Sequence, residues 1–200
     1  GPLILMITHT NFLDPVLAGG LMPREVVMMS KIENFWHPIL GILVRLYGAF
    51  PVRRGEVDRR AIQCSLEVLN SGKVLLMAPE GTRSGHGRLQ KGHDGMTYIA
   101  LRADALILPM AIIGGERFWA HLPKLRRTPI KIIIGQVFRF SPGLERVERA
   151  TMRKMTEEAM YQLASLLPPG HRGVYSDLDS ATEEHLTFPL GSSSNLPGGR

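Results

Sequence analysis

The chain has 200 residues, 44% of them hydrophobic and 21% charged, which is enough for one full α/β domain with a sizeable core and excludes disorder throughout. Its one cysteine, Cys64, excludes a disulfide framework and a cysteine-based zinc site and fits a reducing compartment. The net charge is +6; beyond Leu167 two arginines stand against Asp177, Asp179, Glu183 and Glu184, a net −2, so the body carries +8 and suits phosphorylated substrates, coenzyme A, an acidic carrier protein, an anionic lipid surface or nucleic acid.

Leu3–Thr8 is a short apolar run that suits a buried strand. It has no basic flank, so it does not read as a signal peptide, and no run in the chain reaches the roughly 18–20 apolar residues of a membrane span. A strand at the very start, with the first motif inside ten residues, suggests that an upstream segment is missing. Phe12–Gly19 offers a helix, with Asp14-Pro15 as its start signal. Glu25–Ser30 reads as a strand. Asn34–Leu46 reads as a helix, with Phe35, Ile39, Ile42, Leu43 and Leu46 at helical spacing and Pro38 delaying its regular part. Gly48–Val52 is a short strand, Val57–Leu69 an amphipathic helix and Val74–Ala78 the most strand-like run of all. Thr82–Gly95, rich in glycine and basic residues, reads as a loop. Met96–Arg102 is helical, while Ala105–Ile113 and Ile130–Gly135 are strands. Proline at 109, inside a buried run, marks a strand start, an edge or a bulge. Leu144–Leu167 is a long helix, with Leu144, Val147, Met152, Met155, Ala159 and Leu163 as its apolar face, and Pro168-Pro169-Gly170 ends it. Strands alternating with helices predict a single α/β domain over residues 1–167, with a mostly parallel central sheet and helices on both faces. Residues 168–200, dominated by Ser, Gly, Asp and Pro, read as a flexible tail.

Three stretches carry candidate chemistry, each just beyond a predicted strand, where open α/β sheets bind ligands. In His9-Thr10-Asn11-Phe12-Leu13-Asp14, a carboxylate five residues after a histidine can fix its tautomer and favour the imidazolium formed when the other nitrogen takes a proton. Equally, His9 can fill the strand end and Asp14 cap the helix. In Gly48-Ala49-Phe50-Pro51-Val52-Arg53-Arg54-Gly55, two guanidinium forks beside glycines match phosphate oxygens, or else form a solvated basic loop. In Pro79-Glu80-Gly81-Thr82-Arg83-Ser84, a charged and hydroxyl-bearing cluster follows a fully apolar strand; Glu80 can orient an arginine or bind a substrate hydroxyl, or pair locally with Arg83 in a plain turn.

Taken in order, H-x4-D at His9 and Asp14, G-x-F-x-x-R at Gly48, Phe50 and Arg53, P-E-G-T-R-S at Pro79–Ser84 and the apolar-Pro-apolar strand Leu108–Ile113 resemble the glycerol-phosphate and 1-acylglycerol-3-phosphate acyltransferase superfamily, over about residues 3–140. The resemblance implies His9 as general base on the acceptor hydroxyl and Asp14 as its partner. Arg53, Glu80, Gly81, Thr82 and Arg83 would form the acceptor phosphate site. Acyl-CoA or acyl-carrier protein would be donor and co-substrate, with no metal, other cofactor or covalent acyl-enzyme. Lys31 stands where related sequences often carry a lysine, a candidate for stabilising the thioester oxyanion. Many relatives have Asn before the histidine where this chain has Thr8, which raises the question of how the turn is held. Many also carry an N-terminal hydrophobic segment that docks on the bilayer. A peripheral place on the cytoplasmic face of a membrane is expected, resting here on exposed apolar and basic surface. Phe35-Trp36 and Phe118-Trp119 suit such an interface, though core packing is the readier expectation.

Two other readings compete. A thioesterase-like hydrolase would use the same His/Asp pair with water as acceptor, and Arg53 and Arg83 would then have no purpose. A non-catalytic module would bind anionic lipid through the basic body. No nucleic-acid motif is present, and no G-x-S-x-G of a serine hydrolase.

Overall fold

The computed structural model describes residues 1–55, 57–141 and 147–198. In chain order the elements are β1 (Leu3–Ile7), α1 (Asp14–Gly20), β2 (Val26–Lys31), α2 (Leu40–Leu46), β3 (Phe50–Val52), α3 (Arg59–Asn70), β4 (Val74–Met77), α4 (Gly95–Ala103), β5 (Leu106–Ile113), α5 (Phe118–His121), β6 (Lys131–Ile134), β7 (Arg139–Phe140), α6 (Arg149–Ala164) and β8 (Leu186–Thr187). Six strands form one sheet in the order β3-β2-β4-β1-β5-β6, parallel throughout except for the antiparallel edge strand β6. This is the expected α/β architecture.

Alternation along the strands explains the layers. Ile4 and Met6 of β1, with Leu75 and Met77 of β4, face a core closed by Leu69 of α3, Met96 and Ile99 of α4 and Met155, Met160 and Leu163 of α6. Leu5 and Ile7, with Leu76, Met110 and Ile112, face the opposite side and pack on Ala18 of α1. Central strands buried on both faces read as continuous apolar runs, which is why β1, β4 and β5 were legible.

Pro109 lies inside β5 rather than at its start. Its carbonyl accepts from Gly135 N–H at 2.9 Å, so its missing N–H points towards β6. There Met110 stands opposite Ile134, yet Ile107 stands opposite Phe138, one residue out of register. The extra residue is a bulge, and it lets a proline occupy a paired strand without orphaning an acceptor.

Two expectations are corrected. Asn34–Leu46 is not one helix: Ile32–Phe35 form a 3₁₀ turn and α2 begins only at Leu40, after Pro38. Gly41 and Val44 of α2 are buried, whereas Ile39, Ile42, Leu43 and Leu46 are half to four-fifths exposed, so the apolar stripe faces outwards. Trp36 and Trp119 are also largely exposed rather than packed in the core.

The segment after Leu167 is not a flexible tail where it is described. It forms three 3₁₀ turns, and β8 pairs with β7. Composition hid this, because its anchors are few and specific. Tyr175 and Leu186 are buried, and the buried Glu158 of α6 accepts from Thr182 Oγ1, from His185 N–H and, at 3.0 Å, faces His185 Nδ1. The long helix begins at Arg149, and Leu144 lies outside the described residues.

Candidate active site

Because five strands run parallel, their C-terminal ends share one edge, and the loops after β1, β2, β3, β4 and β5 gather there. His9 follows β1, Lys31 ends β2, Arg53 and Arg54 follow β3, Pro79–Ser84 follow β4 and Gly114–Glu116 follow β5.

The turn after β1 is built around Asp14. Its carboxylate is fully buried, and Oδ2 accepts from the backbone N–H groups of Thr10 and Asn11, both at 2.6 Å, and from Thr10 Oγ1 at 3.2 Å. Asn11, also buried, takes Leu13 N–H on its side-chain oxygen and donates Nδ2 to the Gly115 carbonyl at 2.6 Å, tying the β1 and β5 loops together. Thr8 answers the question raised by its difference from related sequences: Oγ1 donates to Ile112 O and accepts from Ile112 N–H, locking the end of β1 onto β5.

His9 stands one step outside this lattice. Its Nδ1 lies 3.8 Å from Asp14 Oδ2, close enough for electrostatic coupling and too far for a hydrogen bond. His9 Nδ1 and Asp14 Oδ1 are both buried without a hydrogen-bond partner, a rare condition for polar atoms. A small rotation of the ring would let Nδ1–H meet the carboxylate. Gly115 permits the arrangement, since a Cβ there would come within 2.9 Å of Asp14 Oδ1.

Glu80 has a different place from the one expected. It is almost fully buried, accepts from Gln90 N–H at 2.8 Å and is hydrogen-bonded to the backbone of His9. Burial pushes its carboxyl up to about 7, and those backbone bonds pull the other way. Glu80 is therefore a strut between the β1 turn, the β4 turn and the following loop, not a group facing an anionic ligand. Ser84 N–H donates to His9 O at 2.8 Å and completes the strut. Gly81 adopts φ +66° with the His93 ring 3.1 Å from where a Cβ would sit, so the turn needs glycine.

Thr82 and Arg83 are exposed. Arg83 acts on Arg54, which the G-x-F-x-x-R pattern does not single out. Partial burial first, then the positive charge of Arg83, hold Arg54 below its ordinary value, with Glu33 opposing. The turns after β3 and β4 thus bring two guanidinium charges to the same sheet edge, within electrostatic reach of each other. Arg53 donates its backbone N–H to Asp58, the N-cap of α3, and lines an open cleft of ≈ 430 Å³ with Ile32, Pro51 and Val57. Lys31 is engaged: its ammonium lies 3.1 Å from Glu33, with both side chains about half exposed. That pairing gives Lys31 no orientation towards His9.

Among the described residues, Glu158, Glu184 and His185 have ligand atoms converging within 4.8 Å. Glu158 is already satisfied by Thr182 and His185, so this cluster is an anchor for the C-terminal segment.

The acyltransferase family model matches residues 1–113, more than half of the chain and the stretch that carries the turns after β1, β2, β3 and β4. The chain belongs to the acyltransferase family. A 1-acyl-sn-glycerol-3-phosphate acyltransferase from Limnanthes alba is 32% identical over 134 residues, 64% of this chain and 47% of that protein. A lyso-ornithine lipid O-acyltransferase from Pseudomonas aeruginosa is 31% identical, covering 74% of this chain and 64% of that protein. The chain thus spans about half to two-thirds of the length of these curated relatives. The crystal structure of a 1-acyl-sn-glycerophosphate acyltransferase from Thermotoga maritima shares the fold, with a TM-score of 0.57, 23% identity and coverage of 79% of this chain and 63% of that one.

Proposed function

We propose that this acyltransferase moves a fatty acyl group from acyl-CoA or acyl-carrier protein to a free hydroxyl of a lyso-glycerol-phosphate lipid, with His9 as general base. The observation that carries the reading is the combination on one sheet edge of a histidine coupled to a buried carboxylate with two mutually repelling arginines, Arg54 and Arg83. A hydrolase using water as acceptor has no use for the second feature.

In the proposed step, His9 Nε2 takes the proton of the acceptor hydroxyl as its oxygen attacks the thioester carbonyl carbon. Asp14 stabilises the imidazolium that forms. The tetrahedral intermediate collapses, the C–S bond breaks, and the thiolate leaves with the proton returned from His9. Neither a metal nor an acyl-enzyme enters this scheme. The headgroup phosphate would rest on Arg54 and Arg83, with Thr82 and the cleft at Arg53 beside them.

The substrates are amphiphiles, and we place the protein peripherally on the cytoplasmic face of a membrane. No helix among the described residues is long and apolar enough to cross one. The outward stripe Ile39, Ile42, Leu43 and Leu46, with Trp36 beside it, and the nearby Arg45, Arg53 and Arg54 match an anionic bilayer in both hydrophobicity and charge. The deciding assay supplies a labelled acyl thioester with a panel of lyso-acceptors, with and without phosphate. Label appearing in a diacyl phospholipid supports the reading; equal thioester turnover with and without acceptor overturns it in favour of a hydrolase.

A further inference from the structure

We infer that residues 171–175, in a region beyond the family match, form a strap that sets the position of the loop carrying Arg83, and that His171 and Tyr175 are positioning residues for acceptor binding. The inference rests on the acyltransferase reading given above.

The loop from Thr82 to Gly92 has little regular structure of its own. On its inner side it is held by the strut already described, through Ser84 N–H to His9 O and Gln90 N–H to Glu80. Its outer side is held by the strap. His171 Nδ1 lies 2.8 Å from the Gly87 carbonyl, and the His171 carbonyl accepts from Leu89 N–H at 3.0 Å. Val174 N–H donates to Leu89 O, and Gly92 N–H donates to the Tyr175 hydroxyl at 3.0 Å. Four backbone groups of an otherwise irregular loop are thus satisfied by one five-residue segment.

The fit depends on two glycines. Gly173 adopts φ +57°, and a Cβ there would collide with the Leu89 carbonyl oxygen. Gly87 adopts φ +69° where the loop meets His171 and Glu116. Tyr175 is buried with its ring edge-on to Tyr161 at 5.2 Å, so α6 fixes the strap and the strap fixes the loop. A cavity of ≈ 10 Å³ between the strap, the loop and the β1 turn is lined by Thr10, Glu80, Ser84, Glu116 and His171. Its size leaves room for about one water.

The consequence is specific. Loosening the strap frees the loop that carries Arg83 while leaving His9 in the turn after β1 and Asp14 at the start of α1. Acceptor binding should weaken, donor binding should not, and kcat should change less than KM.

Two variants test this in the full chain. Tyr175→Phe keeps the ring packing and deletes one hydrogen bond to Gly92; Gly173→Ala lifts the strap off Leu89. Amide hydrogen exchange of residues 84–92 should rise in both. The acceptor KM should rise roughly three- to tenfold for Tyr175→Phe, the weight of one hydrogen bond, and further for Gly173→Ala. Increased exchange with an unchanged acceptor KM overturns the positioning role and leaves the strap as a stability element. Unchanged exchange overturns the strap itself. The exchange measurement needs no turnover, so failure of the acyltransferase reading would show separately, as absent transfer by the wild-type protein.

Discussion

Replacing Glu80 by glutamine should change how stability depends on pH, and the size of the change follows from the strut geometry. The Glu80 carboxyl ionises near 4.5 in an unfolded chain and at about 7 in the folded protein, because burial disfavours the anion more than the backbone bonds to Gln90 and His9 favour it. The folded state therefore binds the proton more tightly. Its contribution to stability is fully present below pH 4.5, falls as pH rises towards 7 and stays lost above that. At 1.36 kcal/mol per unit the change is roughly 3 kcal/mol. For a chain of this length, that corresponds to roughly 6–12 °C in Tm. Glu80→Gln has no proton to lose and keeps one carbonyl acceptor for the strut. Thermal unfolding of both proteins between pH 5 and 8.5, read as the difference between the two curves, removes the contribution of every other titrating group. The gap should narrow or reverse in favour of the variant as pH passes from 5 to 8. Parallel curves would refute a buried strut. So would a Glu80→Gln protein whose acceptor KM rises a hundredfold with its pH–stability profile intact, since that would put Glu80 on the ligand.

His9→Ala should lower the transfer rate by roughly 10²–10⁴-fold, the usual weight of a general base, and leave the protein folded, because Nδ1 of His9 makes no hydrogen bond in the fold. Wild-type rates in that variant would exclude the mechanism. Arg54→Ala and Arg83→Ala should each raise the acceptor KM roughly tenfold or more, as expected for one charge-assisted hydrogen bond, and the effect should vanish with an acceptor lacking phosphate. Replacing Ile42, Leu43 and Leu46 together by serine should abolish co-sedimentation with vesicles containing anionic lipid and leave unfolding unaffected, since all three are at least half exposed. Retained vesicle binding would place the membrane contact elsewhere.

The sheet could be read from the chain because parallel strands buried on both faces are written as unbroken apolar runs, and because glycine and proline punctuate their ends. Helix α2 shows where that logic stops. A stripe at 3.6-residue spacing says that one face is apolar; whether that face meets the core or something outside is decided by the partner surfaces, which spacing does not encode. Local patterning picked out Arg53 and Arg54 together, and the G-x-F-x-x-R pattern singled out Arg53 alone. Which guanidinium feels the charge of Arg83 depends on how the turn after β3 projects towards the turn after β4, and no local window contains both turns.

The C-terminal segment was the least legible part, and the reason bears on the site. Its composition lacks the apolar density that predicts a fold, yet it needs only a few anchors because it docks on a surface already built. Glu158 holds His185, Tyr161 holds Tyr175 and the Leu89 backbone holds Gly173. Each anchor joins residues more than a dozen positions apart, so no local window contains both halves of any of them. The same holds within the turn after β1. Asp14 and Asn11 are close in sequence, but the Gly115 that packs on one and bonds to the other arrives from β5. A motif read along the chain finds the residues proposed for the chemistry. The residues that hold them still are supplied by whatever the topology returns to the same edge, and at this edge the supplier is the chain beyond the motifs.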